Sequence, residues 1–159
     1  MMCRPLGRIA ALTRRAILPA LCALLPSCGG PPGESARIVD IPRVNLIEIE
    51  TGEKIKLIGV DEIIFPDQAG AMIEEAARFT RGRLTGKMIR VKRCRPVPGR
   101  DDMVLGEVYL GDDLFNAEVI RQGYGKAAAD VPTERKEEFQ DIEKEARQEK
   151  RGLWAKEEQ

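Results

Sequence analysis

Two sets of side chains in this 159-residue chain could do chemistry, and they carry opposite charge. The first is a scatter of carboxylates in loop-like surroundings: Asp61 and Glu62 side by side, then Asp67, Asp101 and Asp102. Gathered by a fold, such oxygens can hold a hard divalent cation; left apart, they are solvated surface. The second is an acid-free stretch from Ala76 to Arg100 containing Arg78, Arg81, Arg83, Lys87, Arg90, Lys92, Arg93, Arg95 and Arg100. Cations at that density suit nucleic-acid phosphates, anionic lipid headgroups or an acidic partner surface. The bland alternative is pairing inside the domain with the acid-rich final segment, Glu134, Glu137, Glu138, Asp141, Glu143 and Glu145. No aromatic side chain interleaves with the cations from Arg81 onward. Contact would therefore be with phosphate rather than by base stacking. With no histidine anywhere to activate it, Cys94 reads as a small buried strand residue rather than a nucleophile.

The elements that must position these groups follow from hydrophobic period. Val44–Glu50 and Glu53–Val60 are β-rich runs separated by the hairpin signal Thr51-Gly52, with Ile55 and Leu57 alternating against Lys54 and Lys56. Asp67–Leu84 is predicted as a helix, since Met72, Ala76 and Phe79 share one face. Met88–Arg95 is a third strand, and Arg95–Asp102, with two prolines and a glycine, is predicted as a loop. Met103–Leu110 is a fourth strand, Asn116–Gln122 a short helix, and Tyr124–Ala128 a last short strand. Thr133 is placed as the cap of a final helix whose buried face is Phe139, Ile142 and Ala146. Lys150-Arg151-Gly152 stops that helix, and Leu153 and Trp154 fold back on the body. Tyr109, Phe115, Tyr124, Phe139 and Trp154 are assigned to packing. Short strands with one helix in the middle and one at the end imply a small Greek-key barrel.

The first residues read differently. Arg4, Arg8, Arg14 and Arg15 precede a short apolar run, Ala16–Pro26. That run falls below the roughly 20 residues a membrane-spanning helix needs, and it fits a secretory signal. Leu25-Pro26-Ser27-Cys28 resembles a bacterial lipobox, which implies cleavage before Cys28 and lipidation of its sulfur. Thr13-Arg14-Arg15 resembles a twin-arginine export signal. The expected organisation is a signal at 1–27, a lipidated cysteine and Pro/Gly-rich spacer at 28–36, one domain at 37–155 and a charged tail at 156–159. Removing the signal's four arginines from 26 basic residues leaves 22 against 26 acidic ones, a charge of about −4. Overall charge thus exerts no pull toward a polyanion; only its distribution can.

Three segments carry a family resemblance: Glu50–Asp61 (ETGEKIKLIGVD), Ala117–Lys126 (AEVIRQGYGK) and Ala146–Trp154 (ARQEKRGLW). In order and spacing they resemble the staphylococcal nuclease, or thermonuclease, family. The resemblance covers roughly residues 37–154. It implies a mainly β fold with helices: a five-stranded OB-fold Greek-key barrel plus about three α-helices. It also implies a phosphodiesterase that uses one calcium ion, a glutamate and two arginines.

Carried over residue by residue, those implied positions are mostly altered. The first metal carboxylate falls at Asn45, neutral, and the second at Asp61, which is kept. Glu62 stands where the family uses a backbone carbonyl. The first arginine falls at Lys56, which lacks the bidentate fork, and the second at Met103, with Arg100 three residues earlier. The glutamate that orients water falls at Ile64, and the nucleotide-stacking tyrosines at about Ala129 and Val131. The expectation is a nuclease-like envelope lipoprotein domain with a degenerate site, needing no cofactor. It would serve as a binding or scaffold module for nucleic acid or an acidic protein surface, and Arg90, Lys92, Arg93, Arg95 and Arg100 are the candidate polyanion contacts. A membrane anchor at Cys28 would place it on the periplasmic side, at the outer membrane if one is present. The alternative is an active, calcium- or other divalent-dependent extracellular nuclease using Asp61 and Glu62 with Asp67, Asp101 or Asp102.

Overall fold

A computed structural model describes residues 33–157; the expectations for the signal, for Cys28 and for the spacer through residue 32 lie outside it. The described chain forms strands β1 (Glu34–Arg43), β2 (Leu46–Ile49), β3 (Lys54–Leu57) and β4 (Val60–Glu62), then helix α1 (Ala69–Leu84). Strands β5 (Met88–Val97), β6 (Arg100–Leu110) and β7 (Asp113–Leu114), helix α2 (Phe115–Arg121), strand β8 (Gly125–Ala127) and helix α3 (Lys136–Gln148) complete it. Sheet order β3-β2-β1-β5-β6 closes on itself because β3 also pairs with β6. All neighbours are antiparallel except that closing pair, which runs parallel with Lys54 opposite Met103 and Leu57 opposite Gly106. The result is the expected five-stranded barrel with three helices. A separate two-stranded ladder joins β4 to β8, placing Asp61 opposite Lys126.

Alternation fills the barrel. Ile47, Ile49, Ile55, Leu57, Ile89, Val91 and Val108 are all buried and form one cluster with Met72 and Ala76 of α1 and with Phe115, Phe139, Leu153 and Trp154. Burying a side chain of that size stabilises by about 1.5–3 kcal/mol each before chain entropy is counted. The packing assigned to the aromatics holds, with Tyr124 half-buried and stacked on Phe79 at 4.3 Å between ring centroids.

Several local expectations are corrected. The spacer ends earlier than residue 36: β1 starts at Glu34 and pairs Glu34–Arg37 with Val91–Met88. Bulges between Ile38 and Asp40 and between Asp40 and Arg43 break its alternation, which hid the strand from a period-2 reading. Arg95–Asp102 is no open loop. The ladder continues through Arg95 opposite Leu105 and Pro96 opposite Val104, with register shifts on either side, and turns at Pro98-Gly99. A proline is tolerated there because a bulge frees its position from donating. Thr133 does not cap α3: the N-cap is Arg135, and Thr133 Oγ1 accepts from Arg135 N at 3.3 Å. Lys156, the first residue of the expected charged tail, pairs through its Nζ with Glu75 Oε2 on α1 at 2.5 Å. Cys94 is exposed rather than buried, because the bulge after Arg93 turns it off the core face.

Candidate functional site

A cleft of about 400 Å³ is lined by Arg43, Asn45, Leu46, Lys56, Asp61, Glu62, Val97, Arg100 and Met103. Four strand ends deliver these residues. The β1–β2 turn supplies Arg43 and Asn45, β3 supplies Lys56, β4 supplies Asp61 and Glu62, and the β5–β6 hairpin supplies Arg100 and Met103. The parallel β3–β6 pairing brings Met103 beside Lys54 and Leu105 beside Lys56, so residues some 50 positions apart share one wall.

Helix α1 holds the turn from behind. Thr80 Oγ1 donates to Val44 O at 3.3 Å, and Arg81 Nη1 donates to Ile41 O at 3.1 Å. Asn45 is buried; its Nδ2 donates to Val60 O at 3.2 Å, and its own carbonyl accepts from Leu57 N at 2.9 Å. The amide oxygen is thereby left as a neutral acceptor beside Asp61. Neither the Asp61 carboxylate nor the Lys56 ammonium makes a side-chain bond among the described residues.

Glu62, carried over only as a backbone position, contributes its side chain too. Arg43 Nη1 meets Glu62 Oε2 at 2.7 Å, while Glu62 Oε1 is shielded from solvent and has no partner. Lys54 Nζ holds Asp102 Oδ2 at 2.7 Å, and Arg100 Nε reaches Asp102 Oδ1 at 3.5 Å. The Lys54 hydrogen bond, helped by the charges of Lys54 and Arg100, holds the Asp102 carboxyl below its ordinary range. The cleft therefore carries three cations (Arg43, Lys56, Arg100) against two carboxylates (Asp61, Glu62).

The fold brings Asn45, Lys56, Asp61, Glu62, Met103 and Arg100 together and leaves Ile64 outside the lining. Ile63 enters the core, and Ile64, on the loop after β4, is 46% exposed. Asp67, Asp101 and Asp102 do not line the cleft. Among the described residues no three acidic, histidine or cysteine side chains gather in a way that would hold a metal ion. Sequence reasoning missed Arg43 altogether. No period in the sequence marked it, because Val44-Asn45 is a turn that sets exposed Arg43 and buried Asn45 by tertiary contacts.

The basic stripe is largely committed to acids of its own domain, but not to those of α3. Arg90 bonds Gly111 O and Asp112. Lys92 pairs with Glu107 at 3.1 Å, and Arg93 spans Glu34 and Glu53, each at 2.8 Å. Arg83 pairs with Glu118 at 2.5 Å. Arg78, Lys87 and Arg95 have no ion pair among the described residues. Around Glu107 a second polar cluster forms on the barrel wall. Tyr109 Oη donates to Glu107 Oε2 at 2.8 Å, and Arg135 Nε stands 3.6 Å from Oε1. Desolvation pushes the Glu107 carboxyl up, but the Tyr109 and Lys92 hydrogen bonds with the Lys92 and Arg135 charges outweigh it and leave it lowered. Although Cys94 is an exposed residue, partial desolvation beside the barrel wall, ahead of the nearby Glu107 charge, pushes its thiol up, away from a reactive thiolate.

A closed five-stranded barrel with this cleft against its first strand turn defines an OB-type domain of the nuclease-like class. Comparison with known proteins agrees: the family model described as Staphylococcal nuclease homologue matches residues 43–156. The chain is 26% identical over 122 residues to a thermonuclease of Staphylococcus intermedius, covering 74% of this chain and 73% of that protein. It is 24% identical over 123 residues to a thermonuclease of Staphylococcus hyicus, covering 75% and 73%. The chain belongs to the staphylococcal nuclease family.

Proposed function

We propose that this domain is a non-catalytic member of its family that binds a polyanion, most simply nucleic acid, through the cleft and the adjoining Arg95–Arg100 hairpin. The observation that carries the proposal is the composition of the cleft. Its cations outnumber its carboxylates by three to two, and the residue in place of the water-activating acid is an exposed hydrocarbon outside the lining. A hard dication needs several oxygen ligands with carboxylates among them. Here one carboxylate, Asp61, is free and the other is tied to Arg43, so the residues present do not fit calcium. Loss of a general base or of a transition-state cation each costs about 10²–10⁴ in rate, and both losses are combined here. Lys92 and Arg83 are held by the largely buried Glu107 and Glu118, but Arg95 has no ion pair among the described residues and the Arg100 pair with Asp102 is solvent-facing. That pair contributes about 0–1 kcal/mol and can exchange for phosphate at little cost.

In the same reading the domain is exported and held on the envelope by lipid at Cys28, at the outer membrane where the host has one. Palmitate labelling checks this: label should enter the wild type and be lost in Cys28→Ala.

The functional test uses the full chain with end-labelled denatured DNA and RNA, in calcium, in other divalent ions and in chelator. Salt-sensitive retention of uncut strands is expected. Divalent-dependent cleavage that Asp61→Ala abolishes would overturn the proposal in favour of an active, rewired phosphodiesterase. A reciprocal set, Asn45→Asp with Lys56→Arg, Ile64→Glu and Met103→Arg, should recover measurable cleavage once Arg43→Gln is added to free Glu62.

A further inference from the structure

The cleft holds one cation that none of the positions carried over from the family supplies. Arg43 sits at the end of β1, after the bulge that separates it from Asp40, and pairs with Leu46 across the turn. Its backbone is fixed on both sides, by Arg81 on Ile41 O and by Thr80 on Val44 O. Its guanidinium meets Glu62 Oε2 end-on at 2.7 Å, beside Asp61 and Asn45, where a bound dication would need oxygen ligands. We infer that Arg43 is a built-in counter-ion taking the electrostatic place of a metal, so that the cleft receives a phosphodiester group without one. The phosphate half of this inference rests on the proposed function; the counter-ion half does not.

The charge balance decides between the two kinds of ligand. With three cations and two carboxylates the cleft's own side chains sum to +1. One phosphodiester, a monoanion, brings it to zero, whereas a calcium ion would raise it to +3. Like charges at contact distance repel strongly wherever water is partly excluded. An arginine offers five N–H donors, and the end-on contact with Glu62 engages one of them. The guanidinium is half exposed, so its remaining edge can take phosphate oxygens in the bidentate manner that suits arginine. Lys56, in register with Leu46 beside Arg43, and Arg100 add their charges to the same cleft. Removing Arg43 reverses the preference: the cleft falls to zero, Glu62 is freed, and Asp61, Glu62 and the Asn45 amide oxygen become a donor set for a hard cation.

The experiment compares the full-length wild type with Arg43→Gln, Arg43→Lys and Glu62→Gln, with Lys144→Ala outside the cleft as control. Calcium is titrated calorimetrically, and a 5′-labelled single-stranded DNA dodecamer is titrated by anisotropy in chelator. The wild type should take no calcium and bind the dodecamer. Arg43→Gln should bind DNA about fivefold more weakly, with a salt slope lower by about one, and take calcium with a dissociation constant on the order of 10⁻³ M. Arg43→Lys should still refuse calcium, and Glu62→Gln should bind DNA about fivefold more tightly. Arg43→Gln and Glu62→Gln move the charge in opposite directions while Arg43→Lys keeps it, so misfolding of one leaves a decisive result from another. Calcium binding by the wild type as strong as by Arg43→Gln overturns the inference, as does DNA affinity indifferent to both Arg43→Gln and Glu62→Gln. If no protein binds the dodecamer while only Arg43→Gln takes calcium, the phosphate half falls with the proposed function and the counter-ion half stands.

Discussion

Glu107 shows what a single buried charge needs in this domain. Its side chain is 9% exposed, and it keeps its charge because Tyr109 Oη and Lys92 Nζ both donate to it and Arg135 stands close. Its carboxyl is lowered in the folded protein, so the unfolded chain takes up the proton first as the solution is acidified. Its contribution to stability is therefore complete above the ordinary carboxylate value of about 4.3 and is lost as pH falls through the lowered folded value. Glu107→Gln should cost about 1–3 kcal/mol in urea denaturation at pH 7, with a smaller gap at pH 3. An equal gap at both values would show that the charge is not what Tyr109 and Lys92 recognise.

Among the elements, α2 is held by one side chain that hydrophobic pattern could not single out. Asn116 is fully buried at the helix start; its Oδ1 accepts from Val108 N at 2.9 Å. Its Nδ2 donates to Ile58 O at 3.0 Å and to Gly106 O at 3.1 Å. It thus links β6 to the segment leading into β4, which carries Asp61. Asn116→Leu would strip Val108 N and Ile58 O of these buried bonds, Gly106 O keeping Ile58 N at 2.9 Å, and should destabilise by about 2–4 kcal/mol while disordering the cleft. At the other end of α2, Gly123 has φ +72°, and a Cβ there would lie 2.1 Å from Arg151 O. Its carbonyl accepts from Leu153 N at 2.9 Å, so this turn docks the C-terminal segment. Gly123→Ala should cost about 2–4 kcal/mol and lower Tm by roughly 10 °C in calorimetry. A shift near zero would mean the C-terminal segment is not stably docked.

For the whole molecule, a ligand stabilises only the state that binds it, by RT ln(1 + [L]/Kd). A domain whose cleft refuses calcium should melt at the same temperature, within about 1 °C, in chelator and in about 10 mM calcium. The dodecamer, in contrast, should raise Tm at low salt and lose that effect as salt screens the contacts. A calcium-dependent rise in the wild type would contradict the proposed function at the level of the intact fold.

What the chain's sequence determined unaided was a set of local matters: most strands from Val44 onward, the three helices, the inward faces and the turn at Thr51-Gly52. Each depends on residue type and on periods of a few residues, which sequence records directly. Tertiary structure alone decided which charges meet. It closed the barrel through a parallel β3–β6 pair, bent β1 with two bulges, carried the ladder through Pro96 and turned Arg43 onto Glu62. It also gave the basic stripe its partners on neighbouring strands in place of α3. The reason is physical: an ion pair depends on a few ångströms of separation, and a one-residue bulge, invisible in period, moves a side chain by that much.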